Sequence, residues 1–181
     1  MKDAPHKTIN KKAFADYAIL LVIILCLSLP VSEYYANRPS FFGSIHIHLD
    51  HIVFVDWLYL ERLTGEQYLS TDVGDELHSE LASLVEDQVT ADRTLIEYCE
   101  AVTPGILASK VSFKLLDGTQ CTETVWSVLA HLFTHQIHHR AQVHDMLSAT
   151  SVAPPQLDEF FLGSDLPRRE TELKALDLPI E

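Results

Sequence analysis

Cysteine is scarce in this sequence: Cys26, Cys99 and Cys121 are the three among 181 residues, odd in number and far apart. That excludes a disulfide framework and any CxxC metal or redox motif, and makes a reducing cytoplasm the expected location. Basic residues are also few, with 13 Lys and Arg against 26 Asp and Glu and a net charge of −13. A phosphate-binding groove depends on clustered Lys and Arg, so nucleic acid is not expected as a partner. No apolar run reaches the roughly 20 residues of a bilayer span. The run from Ala18 to Leu29 is twelve residues long and is closed by Asp16 and Pro30. Lysines precede it as they precede a secretory signal, but no small-x-small cleavage site follows cleanly. We read it as part of a buried first helix and expect no membrane partner; a signal or short anchor is the alternative. Internal repeats and low-complexity segments are missing too.

Helical periodicity is what the chain does have. A hydrophobic content of 47% fills one core, so residues 1–181 are expected to form a single domain, with 1–12 a flexible N-terminus. The first helix is expected near Ala13 to Tyr34, with Pro30 marking a kink or early stop. The second starts after Ser44, a fitting N-cap, and stops at Gly65. The third is expected within residues 70–103, opened by the cap-like Ser-Thr-Asp at 70–72 and closed by Pro104-Gly105. Between Pro104 and Thr122 beta-favouring residues alternate loosely and Asp117-Gly118 offers a turn, which reads as a long connection of extended character. A fourth helix runs from Thr124 to Ser148. The proline-rich tail, 151–181, is expected to pack over the bundle in short helical pieces. The fold class is therefore all-α: a four-helix bundle with a long crossover between helices three and four.

Histidine is concentrated where chemistry would need it. HLFTHQIHHRAQVH, residues 131–144, holds five of the ten histidines. On a helix, residues three or four apart share a face, which pairs His131 with His135, His135 with His138, and His135 with His139. An i,i+4 histidine pair can grip one transition-metal ion, as in HExxH zinc proteins, though the glutamate is missing here. A third ligand would come from the second helix, which offers His46, His48 and His51. Against the metal reading stands the bland one, in which the histidines make ordinary surface or core hydrogen bonds. Asp56 either orients a ligand histidine or bonds the bundle interior. Arg140 either holds an anionic substrate group or pairs with a bundle carboxylate. Trp57, Tyr59 and Trp126 are core residues or walls of a pocket.

Two segments resemble a known family. SIHIHLDHIVFVDWLYL is similar to the pattern SIHxTLNHxLxxDxxWL, and HLFTHQIHHRAQ to HxFNHxxHHRGQ, of the DinB damage-inducible proteins, within the DinB/YfiT-like superfamily of metalloenzymes. FFGS at 41–44 and QLDEFFL in the tail extend the resemblance over roughly residues 13–178. It implies a four-helix bundle, often a homodimer, whose metal is held by one histidine of the second helix and two of the fourth. By position these are His51, His135 and His139, which leaves His46, His48, His131, His138 and His144 in supporting roles. Departures are Asp50 and Thr134 where the pattern has asparagine, and Ala141 where it has glycine. The first helix reads YAILLV where the family commonly has a polar YNxWxN face.

Three neutral imidazoles leave a divalent ion with open positions, where a bound water or thiol loses its proton more readily. The resemblance implies a metal-dependent enzyme, such as a thiol S-transferase or hydrolase, acting on a small electrophilic molecule. Zinc or nickel is the first choice of metal and a low-molecular-weight thiol the implied co-substrate; no catalytic residue or particular substrate is indicated. The alternative is a non-catalytic protein that binds a metal or a stress ligand.

Overall fold

The structure, a computed structural model, describes residues 26–69 and 76–154. These are mostly helical, with one small sheet. The elements are α1 (Val31–Tyr34), α2 (Ile45–Thr64), α3 (Leu81–Ala101), α4 (Pro104–Ala108), β1 (Lys110–Lys114), β2 (Gln120–Thr124) and α5 (Val125–Leu147). Most of the expected first helix, the Ser-Thr-Asp cap at 70–72 and nearly all of the tail lie outside the described residues, so the complete bundle is not on view. No described helix is long and apolar enough to cross a membrane.

α2 is the central element, packed against α3 on one side and α5 on the other. Its sequence suits that position, because Ile45, Leu49, Ile52, Val53, Val55, Leu60 and Leu63 place buried side chains around most of its circumference. Both ends are capped as expected. The Ser44 hydroxyl accepts from the Ile47 N–H at 3.2 Å, and Gly65 takes the left-handed conformation, φ 76°, that a side chain would disfavour. α5 buries Val125, Val128, Leu129, Leu132, Gln136, His139 and Val143 at three- and four-residue steps, and Thr124 caps it.

Two expectations need correction. α3 begins at Leu81, not near residue 70, because the backbone before it is committed elsewhere. The Asp50 carboxylate accepts from the N–H groups of Leu77 at 2.7 Å and His78 at 3.0 Å, and from His78 Nδ1 at 2.8 Å. His46 holds the same segment: its Nε2–H donates to the His78 carbonyl at 2.7 Å and also meets the Glu76 carboxylate, while Nδ1 accepts from the Tyr34 hydroxyl at 2.9 Å. The second correction is that the chain is not all-α. The connection folds into the short helix α4 and an antiparallel hairpin in which Val111 faces Glu123 and Phe113 faces Cys121. Pro104 opens α4 at its first turn, where its missing N–H costs nothing, as well as following α3. The hairpin is fixed to α2 by the Arg62 guanidinium, 4.7 Å from the Phe113 ring centroid and 4.6 Å from that of Tyr59.

One polar cluster lies inside the three-helix contact. Asp56 of α2 is buried, and its carboxylate accepts from Gln88 Nε2 of α3 at 2.9 Å and Gln136 Nε2 of α5 at 2.6 Å. Burial raises its pKa from 3.8 to about 6, against the opposing pull of Gln88, Arg140 and Gln136. A carboxyl raised on folding contributes most when protonated, and that contribution fades as pH rises through 6. Asp56→Asn removes the titration. Between pH 4.5 and 7.5 the wild type is expected to lose about 2 kcal/mol of stability relative to this variant. Parallel urea unfolding at several pH values checks it; identical pH profiles would contradict the assignment.

Candidate metal centre

The packing of α2 on α5 decides which histidines meet. His51 of α2 and His135 and His139 of α5 each present a ring nitrogen, and the three nitrogens lie within 4.8 Å of one another. His51 Nε2 is 3.2 Å from His135 Nε2. Ring centroids are 5.1 Å apart for His51 and His135, 4.8 Å for His51 and His139, and 4.3 Å for the i,i+4 pair His135 and His139.

Electrostatics keeps the cluster neutral. Burial, then the neighbouring His139 and His48, pushes His51 down to about 4. Burial, then His139 and His51, does the same to His135, also to about 4. His139 is lowered by burial, partly offset by its bond to Gln142. That bond sets the tautomer: Nδ1–H of His139 donates to Gln142 Oε1 at 2.7 Å, leaving the Nε2 lone pair for the cluster. His135 Nδ1 is buried with no hydrogen-bond partner. Three neutral imidazoles, with ring nitrogens converging and no described carboxylate bonded to any of them, form a donor set that fits a divalent transition metal.

Phe42 roofs the cluster, with its ring centroid 4.4 Å from that of His51 and 5.5 Å from that of His139. It is aimed by the turn before α2, where the Arg38 N–H donates to the Gly43 carbonyl at 2.6 Å. Gly43 has φ 85°, and a Cβ there would come within 3.0 Å of Asn37 Oδ1.

The remaining candidates take other places. His46 is the strut described above. His48 is fully buried beside the cluster, 6.2 Å from His139 between ring centroids. His131 stacks on Tyr59 at 5.6 Å with the rings 4° from parallel, and His138 sets an edge against His139 at 4.9 Å. His144 occupies the last turn of α5. Asp56 bonds the interior instead of a histidine, and the Arg140 charge favours the Asp56 carboxylate. Trp57 is buried, donates to Asp87 at 3.0 Å and stacks on Tyr68, on the α3 side of α2. Trp126 is 63% exposed, and so is neither core nor pocket wall. Sequence reasoning missed Gln142 and Phe42. Gln142 had a readable signal, since it lies one helical turn beyond His139 on the same face.

The described architecture and site define a mainly helical protein with a three-histidine centre between two helices. The model of the DinB family matches residues 22–164, and the chain belongs to that family. Comparison with curated proteins gives no match.

The low pKa values are directly measurable. In metal-free protein, an NMR pH titration of the imidazole carbons is expected to show His51 and His135 with midpoints near 4, against about 6.5 for an unperturbed histidine. Between those values the unfolded chain binds protons that the folded site refuses, so stability falls as pH drops from 6.5 toward 4. Midpoints near 6.5 for both rings would show that the site is open to water and not preset for a cation.

Proposed function

We propose that this protein is a metal-dependent enzyme of the DinB family that activates a thiol or a water for attack on a small electrophilic molecule, with His51, His135 and His139 as the metal ligands. The carrying observation is the convergence of three neutral imidazole nitrogens from two packed helices. A divalent ion held there supplies a Lewis acid that favours the deprotonated form of a bound thiol or water at neutral pH. Zinc and nickel both suit imidazole donors, and the donor set does not choose between them.

The chain's own residues supply order and shelter. Gln142 holds the His139 ring so that Nε2 faces the cluster, and Phe42 covers His51 and His139 and limits water at that side. The reaction remains a simple one, a nucleophile bound and oriented near an electrophile, because no acid–base residue beyond the histidines touches the cluster among the described residues. The same observation favours a second reading, a protein that binds a metal or a stress ligand without turnover. Asp50 and Asp56, the carboxylates nearest in sequence to His51, are both occupied, one with His78 and the other with Gln88 and Gln136.

A cytoplasmic location agrees with three free cysteines. For a homodimer, Trp126, Phe133 and Ile137 supply an exposed apolar stripe on the outer face of α5. Residues 1–181 are taken as one domain, and the expected tail packing belongs to the same proposal.

Two variants test the function. His139→Ala is expected to lose metal and, with it, the conjugation of 2-mercaptoethanol to an aromatic halide electrophile; undiminished conjugation by metal-free protein would reject metal-dependent chemistry. Gln142→Ala is expected to weaken zinc binding about 10- to 100-fold in competition with a chromogenic chelator, the range typical for an orienting partner of a ligand histidine. Metal binding without turnover across a panel of thiols and electrophiles would favour the binding-protein reading.

A further inference from the structure

His48, like His135, has a buried ring nitrogen with nothing to bond among the described residues, and it lies outside the three-nitrogen cluster. His48 lies one turn before His51 on α2 and is 0% exposed. Its Nδ1 is 2.7 Å from the carbonyl oxygen of Ser44, an acceptor, so Nδ1 carries the hydrogen and Nε2 keeps the lone pair. Nε2 is buried and makes no hydrogen bond. Folded chains rarely leave such an acceptor unpaired, and an orphan of this kind calls for an explanation.

Its surroundings supply one. The Phe42 ring that roofs His51 and His139 also stands edge-on to His48, with centroids 5.1 Å apart, and His139 is the next ring along at 6.2 Å. His48 therefore borders the enclosure of the three-histidine cluster without joining it: the group of nitrogens within 4.8 Å of one another comprises His51, His135 and His139. Its neighbours in the enclosure offer no hydrogen to it. Phe42 has no polar atom, and the His139 Nδ1–H is given to Gln142. No described residue donates to it, so the donor that completes His48 comes from a molecule entering the enclosure.

We propose that His48 Nε2 is a specificity-determining acceptor, and that the three-histidine centre prefers ligands that bind it through one atom and carry an O–H or N–H donor close by, as a hydroxythiol does. This rests on the metal reading above and deepens it by naming the ligand class. His48 is a recognition residue here; no proton transfer is assigned to it.

The test uses the full chain loaded with cobalt(II), whose thiolate charge-transfer absorption reports binding. The probes are 2-mercaptoethanol and 2-methoxyethanethiol, which share a thiol and differ in that a methyl group replaces the hydroxyl hydrogen. The wild type is expected to bind the hydroxythiol about five- to tenfold more tightly, the effect of one hydrogen bond to a buried acceptor. His48→Phe should keep its cobalt and lose the preference. His48→Gln, with an amide oxygen still able to accept, should retain part of it. An unchanged preference in His48→Phe overturns the proposal, as does loss of cobalt from both variants, which would make His48 a metal ligand. Wild-type protein that binds cobalt but treats the two thiols alike overturns this role and leaves the metal centre standing, a result that needs no variant to fold. Wild-type protein that takes up no cobalt overturns both.

Discussion

The direct packing of α2 on α5 is the contact on which everything else in the structure depends. Both helices bury an apolar stripe at three- and four-residue steps, and in each the stripe carries histidine at its edge. Leu49, Ile52 and Val53 on α2 and Leu132 and Val143 on α5 are fully or almost fully buried. Side chains this confined fix the register of the two helices, because sliding either by a turn would leave cavities and strained rotamers. The register then brings His51 opposite His135 and His139. Apolar packing sets the position, and the imidazoles inherit it.

Two kinds of buried polar group share this framework, and their difference marks the site. Those with a structural task are paired within the chain. Asp56 gathers an amide from each neighbouring helix, Asp50 ties down two backbone N–H groups, and His46 bridges Tyr34 to the segment before α3. Around the cluster the pairing stops. His135 Nδ1 and His48 Nε2 have no partner, and two Nε2 atoms face each other across 3.2 Å. Unsatisfied nitrogen costs stability wherever it is buried. Arg62 Nε, Arg140 Nε and Gln136 Oε1 are buried without a partner as well, so what sets the cluster apart is the convergence of three imidazole nitrogens within 4.8 Å of one another.

Local signals were legible in the sequence where they act through near neighbours. Ser44 and Gly65 bound α2 as their chemistry directs, Thr124 opens α5, and Asp117-Gly118 turns the hairpin. The i,i+4 spacing of His135 and His139 was equally plain. What sequence could not supply were effects between distant residues. Spacing alone left His46, His48 and His51 as equal candidates; resemblance to the family favoured His51, and the packing of α2 shows it facing α5 while His46 turns toward Tyr34. α3 starts late because Asp50, 27 residues earlier than Leu77, captures the backbone that would have begun it. The hairpin was anticipated only as an extended connection, since the contact that secures it, Phe113 on Arg62, joins segments far apart in the chain.

The central claim is that His51, His135 and His139 form one metal-binding unit. Elemental mass spectrometry on untagged protein, wild type beside the three single alanine variants, tests it most directly. The account predicts close to one transition-metal ion per chain in the wild type, lost in each variant. No ion in the wild type even after reconstitution with zinc and nickel, or an ion that survives every substitution, would contradict it.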